Sequence, residues 1–359
     1  MNKISMFFIG LDLGDKHSHL TVLDQEGELI EETRLPTTKA SFQRKFSTLQ
    51  PCRIAMEVGA HSRWSSHQLR ELGHDVIVAN ARKLRAIYHN PRKGDRADAE
   101  TLARLARLDP ALLSPIHHRT PQAQADLAVL RSRDAIVRSR TLLINHARSI
   151  VKSSGARLPS CSADSFAHKV APDVPETLHP ALLPILETIA SLTKQIKSYD
   201  QKSEELCSQR YPETKLLRRI SGVGPLTSLA FILTLEEPRR FQKSRQVGPA
   251  LGLVPKRDQS GDNDPQLRIT KTGDPYLRRL LVSSAQYILG PFGPDCDLRR
   301  WGLKLAERGG KNAKKRAVVG VARKLAILLH YLWRTGEIYD PFYLARKHDR
   351  APEAVPAAA

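Results

Sequence analysis

The sequence predicts an α/β domain followed by a long all-α region. Three observations support this fold class. Short apolar segments with the period-two pattern of strands alternate with amphipathic helical segments over residues 6–79. From Pro121 onward, two long stretches repeat apolar residues with the period of an α-helix. Beyond residue 216 the helical period returns in shorter stretches, which Gly- and Pro-rich turns separate.

The first domain has the pattern of five strands and two helices. An apolar run at 7–11 ends at Asp12, and after the turn Leu13–Lys16 the alternation from His19 to Asp24 predicts a second strand. The other predicted strands are Glu28–Leu35, Cys52–Val58 and Asp75–Ala79, and the predicted helices are 37–49 and Ser62–Leu72. The alternation indicates an α/β domain with a mixed sheet. With carboxylates at the ends of the first and fourth strands, the order also matches the ribonuclease H-like (RuvC-like) fold.

The helical part contains two long helices around a loop. A helix from Gly94 to Leu105 leads to the first long helix, Pro121–Ser153, and the Ser- and Pro-interrupted stretch 155–175 is predicted to be a loop. The second long helix has a pattern close to a heptad seam, with Ser203 in one polar position. The apolar positions of this seam are Leu182, Ile185, Ile189, Leu192, Ile196, Tyr199 and Leu206. We expect an antiparallel coiled-coil arm or a dimerisation element; ordinary helix packing within one globule is the alternative.

These patterns divide the chain into four parts. We predict a RuvC-like domain at 5–118, a helical or coiled-coil region at 119–212 and a helical C-terminal domain at 213–345. The Ala- and Pro-rich tail, 346–359, is predicted to be disordered.

The charge of the chain points to a polyanionic partner. It has 359 residues with 57 Lys and Arg against 37 Asp and Glu, so its formal net charge is +20. Nucleic acid is the default partner of such a chain, and an anionic membrane surface is the alternative. No apolar stretch reaches the roughly 20 residues of a spanning helix, and no signal peptide is recognisable. The four cysteines lie far apart, which argues against a zinc site or a disulfide framework and favours the cytoplasm. With nucleic acid as the partner, we expect association with the nucleoid.

Four acidic residues could form a metal site. Asp12 and Glu57 stand at strand ends, and Asp95 and Asp98 share one face of a helix. Carboxylate oxygens are the ligands of magnesium, and two such ions about 3.5–4 Å apart can clamp a phosphodiester displacement. We therefore predict a site for two Mg²⁺ ions, with Mn²⁺ as an alternative. Each acid alone could instead be a turn, cap or surface residue, and Asp15 and Asp24 compete with Asp12 for its role.

Two further motifs could act on phosphate. Gly222 and Gly224, between two helical segments, resemble a helix–hairpin–helix, in which glycines let backbone N–H groups approach a DNA phosphate. A tight turn would give the same pattern. Ser260 lies in the polar stretch 256–272, where its hydroxyl could attack a phosphodiester while neighbouring cations stabilise the developing charge; a plain Ser-Gly turn is the alternative. These neighbouring cations are Lys256, Arg257, Arg268 and Lys271.

The motifs together resemble one family over residues 5–345. IGLDLGDKH, AMEVGAHS and KGDRADAETLARL resemble the acidic motifs of the DEDD transposases of the IS110 insertion sequences, relatives of the Piv-type DNA invertases. The resemblance places the four acids at Asp12, Glu57, Asp95 and Asp98. ISGVGPLTSLAFI, RQVGPALGLVP and RITKTGDPYLRRLL look like the C-terminal transposase domain of that family, and PKRDQSGDN aligns the catalytic serine with Ser260.

The resemblance implies an activity and its partners. Members of the family act on donor and target DNA as dimers and tetramers, and known members are guided by a bridge RNA. By analogy, Ser260 forms a covalent phosphoserine link to DNA while the acidic site of a partner subunit completes the site with magnesium. The resemblance also assigns phosphate contacts to the basic helices. The cations assigned this role are Arg131, Arg138, Arg148, Lys314, Lys315 and Arg316.

Several alternatives stay open at this point. A site-specific invertase fits the same motifs, and a RuvC-like structure-selective nuclease would use the acids without serine chemistry. An actin-like ATPase shares the Asp12-Leu13-Gly14 pattern, but it would need a second such motif and a Gly-rich adenosine segment, which the sequence lacks. A non-catalytic nucleic-acid-binding protein explains the charge and leaves the four acids without a role.

Overall fold

Two compact units make up the chain. The computed structural model describes residues 7–83, 94–265, 267–310, 312–344 and 346. Contacts within the chain group it into unit one, Met1–His118, and unit two, Arg119–Ala359. The finer domain bounds given above stay predictions. The predicted tail lies outside the described residues except for Arg346.

Unit one contains a five-stranded mixed sheet. Its strands are β1 (Phe8–Asp12), β2 (His17–Leu23), β3 (Leu29–Pro36), β4 (Arg53–Glu57) and β5 (Asp75–Ala79). Their order in the sheet is β3-β2-β1-β4-β5. The pairs β1–β2 and β2–β3 are antiparallel, whereas β1–β4 and β4–β5 are parallel. The predicted mixed α/β class is confirmed, and the strand bounds differ from the predicted ones by at most two residues.

Helices cover both faces of this sheet because the strands alternate their side chains. The helices of unit one are α1 (Lys39–Phe46), α2 (Ser62–Glu71) and α3 (Asp95–Leu108). Phe42 and Phe46 of α1 and Leu69 of α2 join one core cluster together with Ile54 and Met56 of β4. The intervening residue of β4 faces the other way and packs with α3. This second cluster contains Ala55, Ile77, Ala79, Leu102 and Ala106.

Unit two is helical in its described part. Its helices are α4 (Pro121–Ser153), α5 (Phe166–Val170), α6 (His179–Gln209), α7 (Thr214–Leu217), α8 (Pro225–Leu235), α9 (Val247–Ala250), α10 (Pro275–Leu289), α11 (Asp297–Glu307) and α12 (Ala313–Thr335). The predicted bounds of α4 agree with the structure. No helix among the described residues combines the length and apolarity that crossing a bilayer requires.

The two long helices α4 and α6 run antiparallel. Asp126 near the start of α4 accepts hydrogen bonds from Arg210 Nη1 at 2.8 Å, just beyond the end of α6. Farther along α4, Arg140 Nη1 donates to Thr193 Oγ1 at 3.1 Å. Between these two contacts the residue number rises along α4 and falls along α6, so the two helices run in opposite directions. Whether this pair is a coiled coil in the strict sense stays a prediction.

The seam of α6 differs in part from the predicted one. Leu182, Ile189, Ile196, Ser203 and Leu206 are buried as expected. The intermediate predicted positions, Ile185, Leu192 and Tyr199, are only half-buried. Leu186, Thr193 and Cys207 are buried as well. The buried positions of α6 are three or four residues apart. At two of them the buried residue is Thr193 or Cys207, although a larger apolar residue stands next to it in the sequence.

The base of the helical pair belongs to the main core of unit two. Leu127 and Leu130 of α4 and Leu206 of α6 share one cluster with the helices α8, α10 and α12. The far end of the pair has a separate cluster. Its members include Ala147, Val151, Phe166, Val170, Leu182, Leu186 and Ile189.

Two helical segments were not predicted. Residues 155–175 were predicted to be a loop, but they contain α5, whose Phe166 and Val170 are fully buried. A five-residue helix is too short for a periodic pattern, and tertiary packing stabilises it instead. Helix α11 was also missed, although Cys296 caps it and Leu298 and Gly302 are buried. Leu298, Trp301 and Leu305 recur at a helical spacing, so the signal for this helix was present in the sequence.

Candidate functional site

Asp12 and Glu57 end two neighbouring parallel strands. β1 and β4 pair in parallel with Leu11 opposite Met56, so the next residues, Asp12 and Glu57, leave the same edge of the sheet. Leu11 and Met56 are completely buried, whereas both acids are partly accessible. The strand register therefore brings two carboxylates together at the rim of a dry core.

Helix α3 rests directly on β1. A Cβ atom built at Gly10 would lie 1.8 Å from the backbone oxygen of Ala99 and 2.6 Å from the backbone nitrogen of Ala103. Only glycine permits this approach, because any side chain would collide with the helix backbone. Asp98 directly precedes Ala99, and Asp95 opens the helix. The contact thus fixes the acidic first turn of α3 beside the end of β1.

The four carboxylates act on one another electrostatically. Burial and the charges of Asp95, Asp98 and Glu57 together raise the pKa of Asp12 to about 6, while His19 opposes this rise. Burial is the largest cause, followed by Asp95, Asp98 and Glu57 in that order. Like charges that face a half-buried carboxyl disfavour its ionised form. The predicted acids are therefore near neighbours, and their role as metal ligands stays a prediction.

The competing acids have other positions. The Asp15 side chain is 93% exposed, with Oδ1 lying 3.4 Å from His61 Nε2. Asp24 Oδ1 accepts hydrogen bonds from the backbone N–H groups of Gly27 and Glu28, both at 2.8 Å. Asp24 therefore shapes the β2–β3 turn, and Asp12 is the acid that meets the other three.

His19 was not singled out from the sequence. It lies opposite Asp12 in the β1–β2 register, and its Nε2 is 3.6 Å from Asp95 Oδ2. A hairpin count from the predicted turn Leu13–Lys16 would have paired Asp12 with His17, two residues short of its observed partner His19. The contact with Asp95 depends on how α3 packs, which no local pattern reveals.

The acids fit magnesium better than a metal that needs a complete protein cage. Among the described residues, no three His, Cys, Asp or Glu side chains lie close enough together, as they stand, to hold a metal ion. Magnesium usually takes one or two protein carboxylates and keeps several of its waters. Zinc in a structural site needs four protein ligands. The predicted donors are all carboxylate oxygens, the type of ligand that magnesium prefers, and the magnesium site stays a prediction.

Ser260 lies at the tip of a β-hairpin in unit two. Its backbone N–H donates to Asn263 O and Asn263 N–H donates back to Ser260 O, both at 3.1 Å. Gly261 between them has φ +55°, as the first central position of a two-residue hairpin turn requires. Toward the base, Lys256 N–H donates to Arg268 O at 2.8 Å and Thr270 N–H to Val254 O at 2.9 Å. Ser260 is exposed, so its hydroxyl is accessible to a large substrate.

Two family models match the chain. One, a DEDD transposase model of the IS110 group, described as a transposase, matches residues 9–155. The other, described as the transposase IS116/IS110/IS902 family, matches residues 214–294. The chain belongs to the IS110 family of transposases.

Relatives of this transposase match along most of their length. A "Probable family 20 transposase" of Pseudomonas aeruginosa is 28% identical over 348 residues, which cover 93% of this chain and 98% of the relative. The transposase for insertion sequence element IS1111A of Coxiella burnetii is 27% identical over 347 residues, with 92% and 90% covered. The transposase for IS1328 of Yersinia enterocolitica is 28% identical over 283 residues, with 77% and 82% covered. These relatives agree with the two family models in describing a transposase of an insertion sequence.

The Gly222–Gly224 segment of the transposase forms a turn between α7 and α8. Gly222 has φ +86°, and a Cβ atom there would lie 2.8 Å from Tyr287 Cδ1. Gly224 directly precedes α8, and Pro225 occupies its first position. A groove of about 440 Å³ runs along this turn. The phosphate contact proposed for this turn stays a prediction.

The predicted phosphate contacts on α4 differ in availability. Arg131 Nη2 donates to Asp274 at 2.6 Å, and Arg148 Nη2 donates to the backbone oxygen of Pro159 at 3.0 Å. Both side chains are therefore engaged inside unit two. Arg138 pairs with Asp134 at 3.3 Å, but its side chain is 68% exposed and can reach a polyanion.

The basic first turn of α12 is exposed. Lys314, Lys315 and Arg316 are exposed and follow one another at the start of the helix, whose first turn contains no acidic residue of its own. The N-terminus of a helix carries partial positive charge, so three cations there are unfavourable without an anion. This arrangement favours a polyanionic ligand at the start of α12.

Proposed function

We propose that this transposase cuts and rejoins DNA with two sets of groups. Asp12, Glu57, Asp95 and Asp98 bind magnesium in a domain of the RNase H-like (RuvC-like) fold, and the Ser260 hydroxyl is the nucleophile. The raised pKa of Asp12 is the observation that carries the proposal. Three carboxylates crowding a fourth are costly unless a cation compensates them. A transposase acts on a phosphodiester, for which such a cation is the common catalyst.

The acidic residues suit two ions. Strand ends supply Asp12 and Glu57, and the first turn of α3 supplies Asp95 and Asp98. With one or two carboxylates for each ion, the set suffices for two Mg²⁺ or Mn²⁺ ions. When bound, the ions would stabilise the attacking and leaving oxygens of the displacement. The chain itself supplies the fixed orientation, because the Gly10 contact holds the helix against the strand.

The Ser260 step exchanges one phosphodiester for another. The serine oxygen bonds to phosphorus as one phosphorus–oxygen bond of the DNA backbone breaks. The hydroxyl proton passes to water, and the departing deoxyribose oxygen leaves with the electron pair of the broken bond and takes up a proton from water. A deoxyribose hydroxyl that attacks the resulting phosphoserine reverses these steps and rejoins the strand. The cations of the hairpin, Lys256, Arg257, Arg268 and Lys271, would offset the charge on the phosphate.

The partners follow from the charge and the family. We propose that donor and target DNA are the substrates, that a bridge-type guide RNA selects them, and that the enzyme acts as a homodimer or homotetramer. The formal charge of +20 and the exposed cations of α12 support nucleic acid as the ligand. Acids and serine of different subunits would then form a composite site.

A recombination assay with Asp12→Ala and Ser260→Ala tests the composite site. Each variant alone should reduce recombination by more than about 100-fold, because each removes a group that acts on the transition state. A mixture of the two should recover part of the activity, since each variant supplies the group that the other lacks. The matched controls are Asp15→Ala and Ser208→Ala, whose side chains are exposed and lie outside the proposed site. Absence of recovery at every mixing ratio counts against sharing between subunits.

The same variants separate the alternatives. A RuvC-like nuclease without serine chemistry is favoured by the acid cluster, whose four members all belong to unit one. In that case Ser260→Ala would keep magnesium-dependent cleavage. A site-specific invertase would use the same groups on two sites of one DNA molecule, so its products distinguish it from a transposase.

A further inference from the structure

At the base of the Ser260 hairpin, the backbone of the chain that enters it contacts the backbone of the chain that leaves it. Gly252, on the entering side, has φ +66°, and a Cβ atom there would lie 2.3 Å from the backbone nitrogen of Thr272. Gly273, on the leaving side, has φ +70°, and its Cβ atom would lie 2.1 Å from Ala250 O. Neither close approach admits a side chain. The direction in which the hairpin leaves the helical body is therefore set at this base.

Beyond the base, little else holds the hairpin. Residues 255–268, as far as they are described, are exposed, and the backbone bonds that cross it are few. A two-stranded hairpin alone is marginally stable in water. The orientation of Ser260 therefore depends on the contacts at the base.

One guanidinium group joins the two sides of that base. Nη1 of Arg278, in the first turns of α10, donates to Leu251 O at 2.9 Å and to Thr272 O at 2.6 Å. Leu251 lies on the chain entering the hairpin and Thr272 on the chain leaving it. Helix α10 is itself anchored, because the Asp274 side chain caps it at the backbone nitrogens of Tyr276 and Leu277, 2.9 and 3.0 Å away.

We propose that Arg278 is the positioning residue of Ser260. Its guanidinium bridges both ends of the hairpin to a fixed helix and so holds the nucleophilic hydroxyl in one direction. This inference rests on the proposed function, in which Ser260 attacks DNA. Arg278 touches no reacting atom; it acts through the backbone of residues 251 and 272. Loss of such orientation slows a reaction without weakening the binding of its substrate.

The test compares two neighbouring arginines in the full-length protein. Arg278→Ala removes the bridge, and the control Arg279→Ala removes the same charge from α10 together with a 2.5 Å ion pair to Asp134. The readouts are the rate of the covalent protein–DNA link at saturating DNA and the dissociation constant for DNA. We expect the rate to fall by about 10- to 100-fold in Arg278→Ala, with the dissociation constant within about threefold of wild type. Arg279→Ala should retain the wild-type rate.

A cross-strand disulfide provides the rescue. Pro255 and Ile269 face each other in the hairpin, and the backbone bonds on either side of them mark a pair without mutual hydrogen bonds, where side chains are closest. Pro255→Cys with Ile269→Cys, added to Arg278→Ala, should restore the rate when oxidised and lose it again on reduction. If Arg278→Ala does not fold, Arg278→Gln replaces it, because glutamine keeps most of the apolar stem. We expect the same fall in rate and the same DNA affinity for that variant.

The outcomes are separable. A rate in Arg278→Ala equal to that of Arg279→Ala overturns the positioning role, and so does a rate loss that DNA affinity fully accounts for. Rescue that is independent of oxidation also contradicts it. If the wild-type protein forms no covalent link, or forms one in Ser260→Ala, the proposed function fails instead, whatever Arg278 does.

Discussion

Asp12 is the residue at which the fold and the proposed chemistry conflict. Its pKa is raised from 3.8 to about 6, so the folded protein binds this proton more tightly than the unfolded chain does. The contribution of Asp12 to stability is therefore fully present below about pH 3.8 and is lost as the pH rises through about 6. At neutral pH without metal, the ionised Asp12 opposes folding.

Replacing Asp12 should therefore stabilise the protein while abolishing its activity. We expect Asp12→Asn to raise the free energy of unfolding at pH 8, without divalent metal, by about 1 kcal/mol, a value discounted because solvent screens part of the carboxylate. At pH 4 the difference should shrink toward zero. Urea unfolding at both pH values in the presence of a chelator measures it.

Asp15→Asn is the control for this pH dependence. The Asp15 side chain is 93% exposed, so its replacement should change stability equally little at pH 4 and pH 8. Magnesium should raise the melting temperature of the wild-type protein and leave that of Asp12→Asn unchanged. A magnesium shift that persists in Asp12→Asn would contradict the role of Asp12 as a ligand.

The acids could be predicted from the sequence, whereas their partners could not. Strand ends and a helical spacing of three residues are local patterns, and they are enough to single out Asp12, Glu57, Asp95 and Asp98. His19 reaches Asp95 across 76 residues of chain, at 3.6 Å, only because α3 packs against the β1–β2 hairpin. Likewise, Arg131 looks like a surface cation in sequence, but it pairs with Asp274 in the folded unit.

Among the elements, α3 depends on a single glycine. Gly10 of β1 faces the backbone of α3, and the gap between them is too small for any side chain. Asp95 and Asp98 lie within two helical turns of the α3 residues that Gly10 contacts. A shift of this helix therefore moves two of the four acids.

Gly10→Ala should therefore damage both stability and activity. We expect the free energy of unfolding of unit one to fall by about 2–3 kcal/mol, because overpacking forces the helix away from the sheet. Denaturant unfolding gives the stability, and magnesium-dependent cleavage should fall with it. Gly59→Ala is the control, since nothing lies within 4 Å of a Cβ atom at Gly59. A stability of Gly10→Ala close to that of Gly59→Ala would mean that α3 does not rest on β1.

Helices were predicted correctly where the periodic pattern extends over many residues. They were missed where tertiary packing determines the structure of a short segment. Helix α4 spans 33 residues, and its pattern gives both ends. Helix α5 spans five residues and exists because Phe166 and Val170 fill a cluster at the far end of α4 and α6. The same cluster explains why Leu186, rather than Ile185, is buried on α6.

For the whole molecule, the excess of cations predicts salt-dependent DNA binding. The double variant Lys314→Gln/Lys315→Gln removes two exposed charges from the start of α12. If both contact phosphates, the slope of log affinity against log salt concentration should become less steep by about 2. Fluorescence anisotropy over a range of salt concentrations measures this slope.

The control removes two cations that are already paired. Lys202 lies 3.1 Å from Glu205, and Arg300 lies 2.6 Å from Asp295. Lys202→Gln/Arg300→Gln has the same formal charge as the α12 variant, so a nonspecific charge effect would change both slopes equally. An unchanged slope in the α12 variant would exclude these lysines from the DNA interface.

The buried arginine between the two ends of the α4–α6 pair has a consequence for local unfolding. The two apolar clusters at the ends of the pair are separate, and between them α4 buries Arg140, which bonds to Thr193 and to Asp164 at 2.5 Å. Because the two clusters are separate, the far end can lose its structure while the base stays folded. Amide hydrogens of residues 143–189 should therefore exchange as one cooperative group, ahead of those at the base.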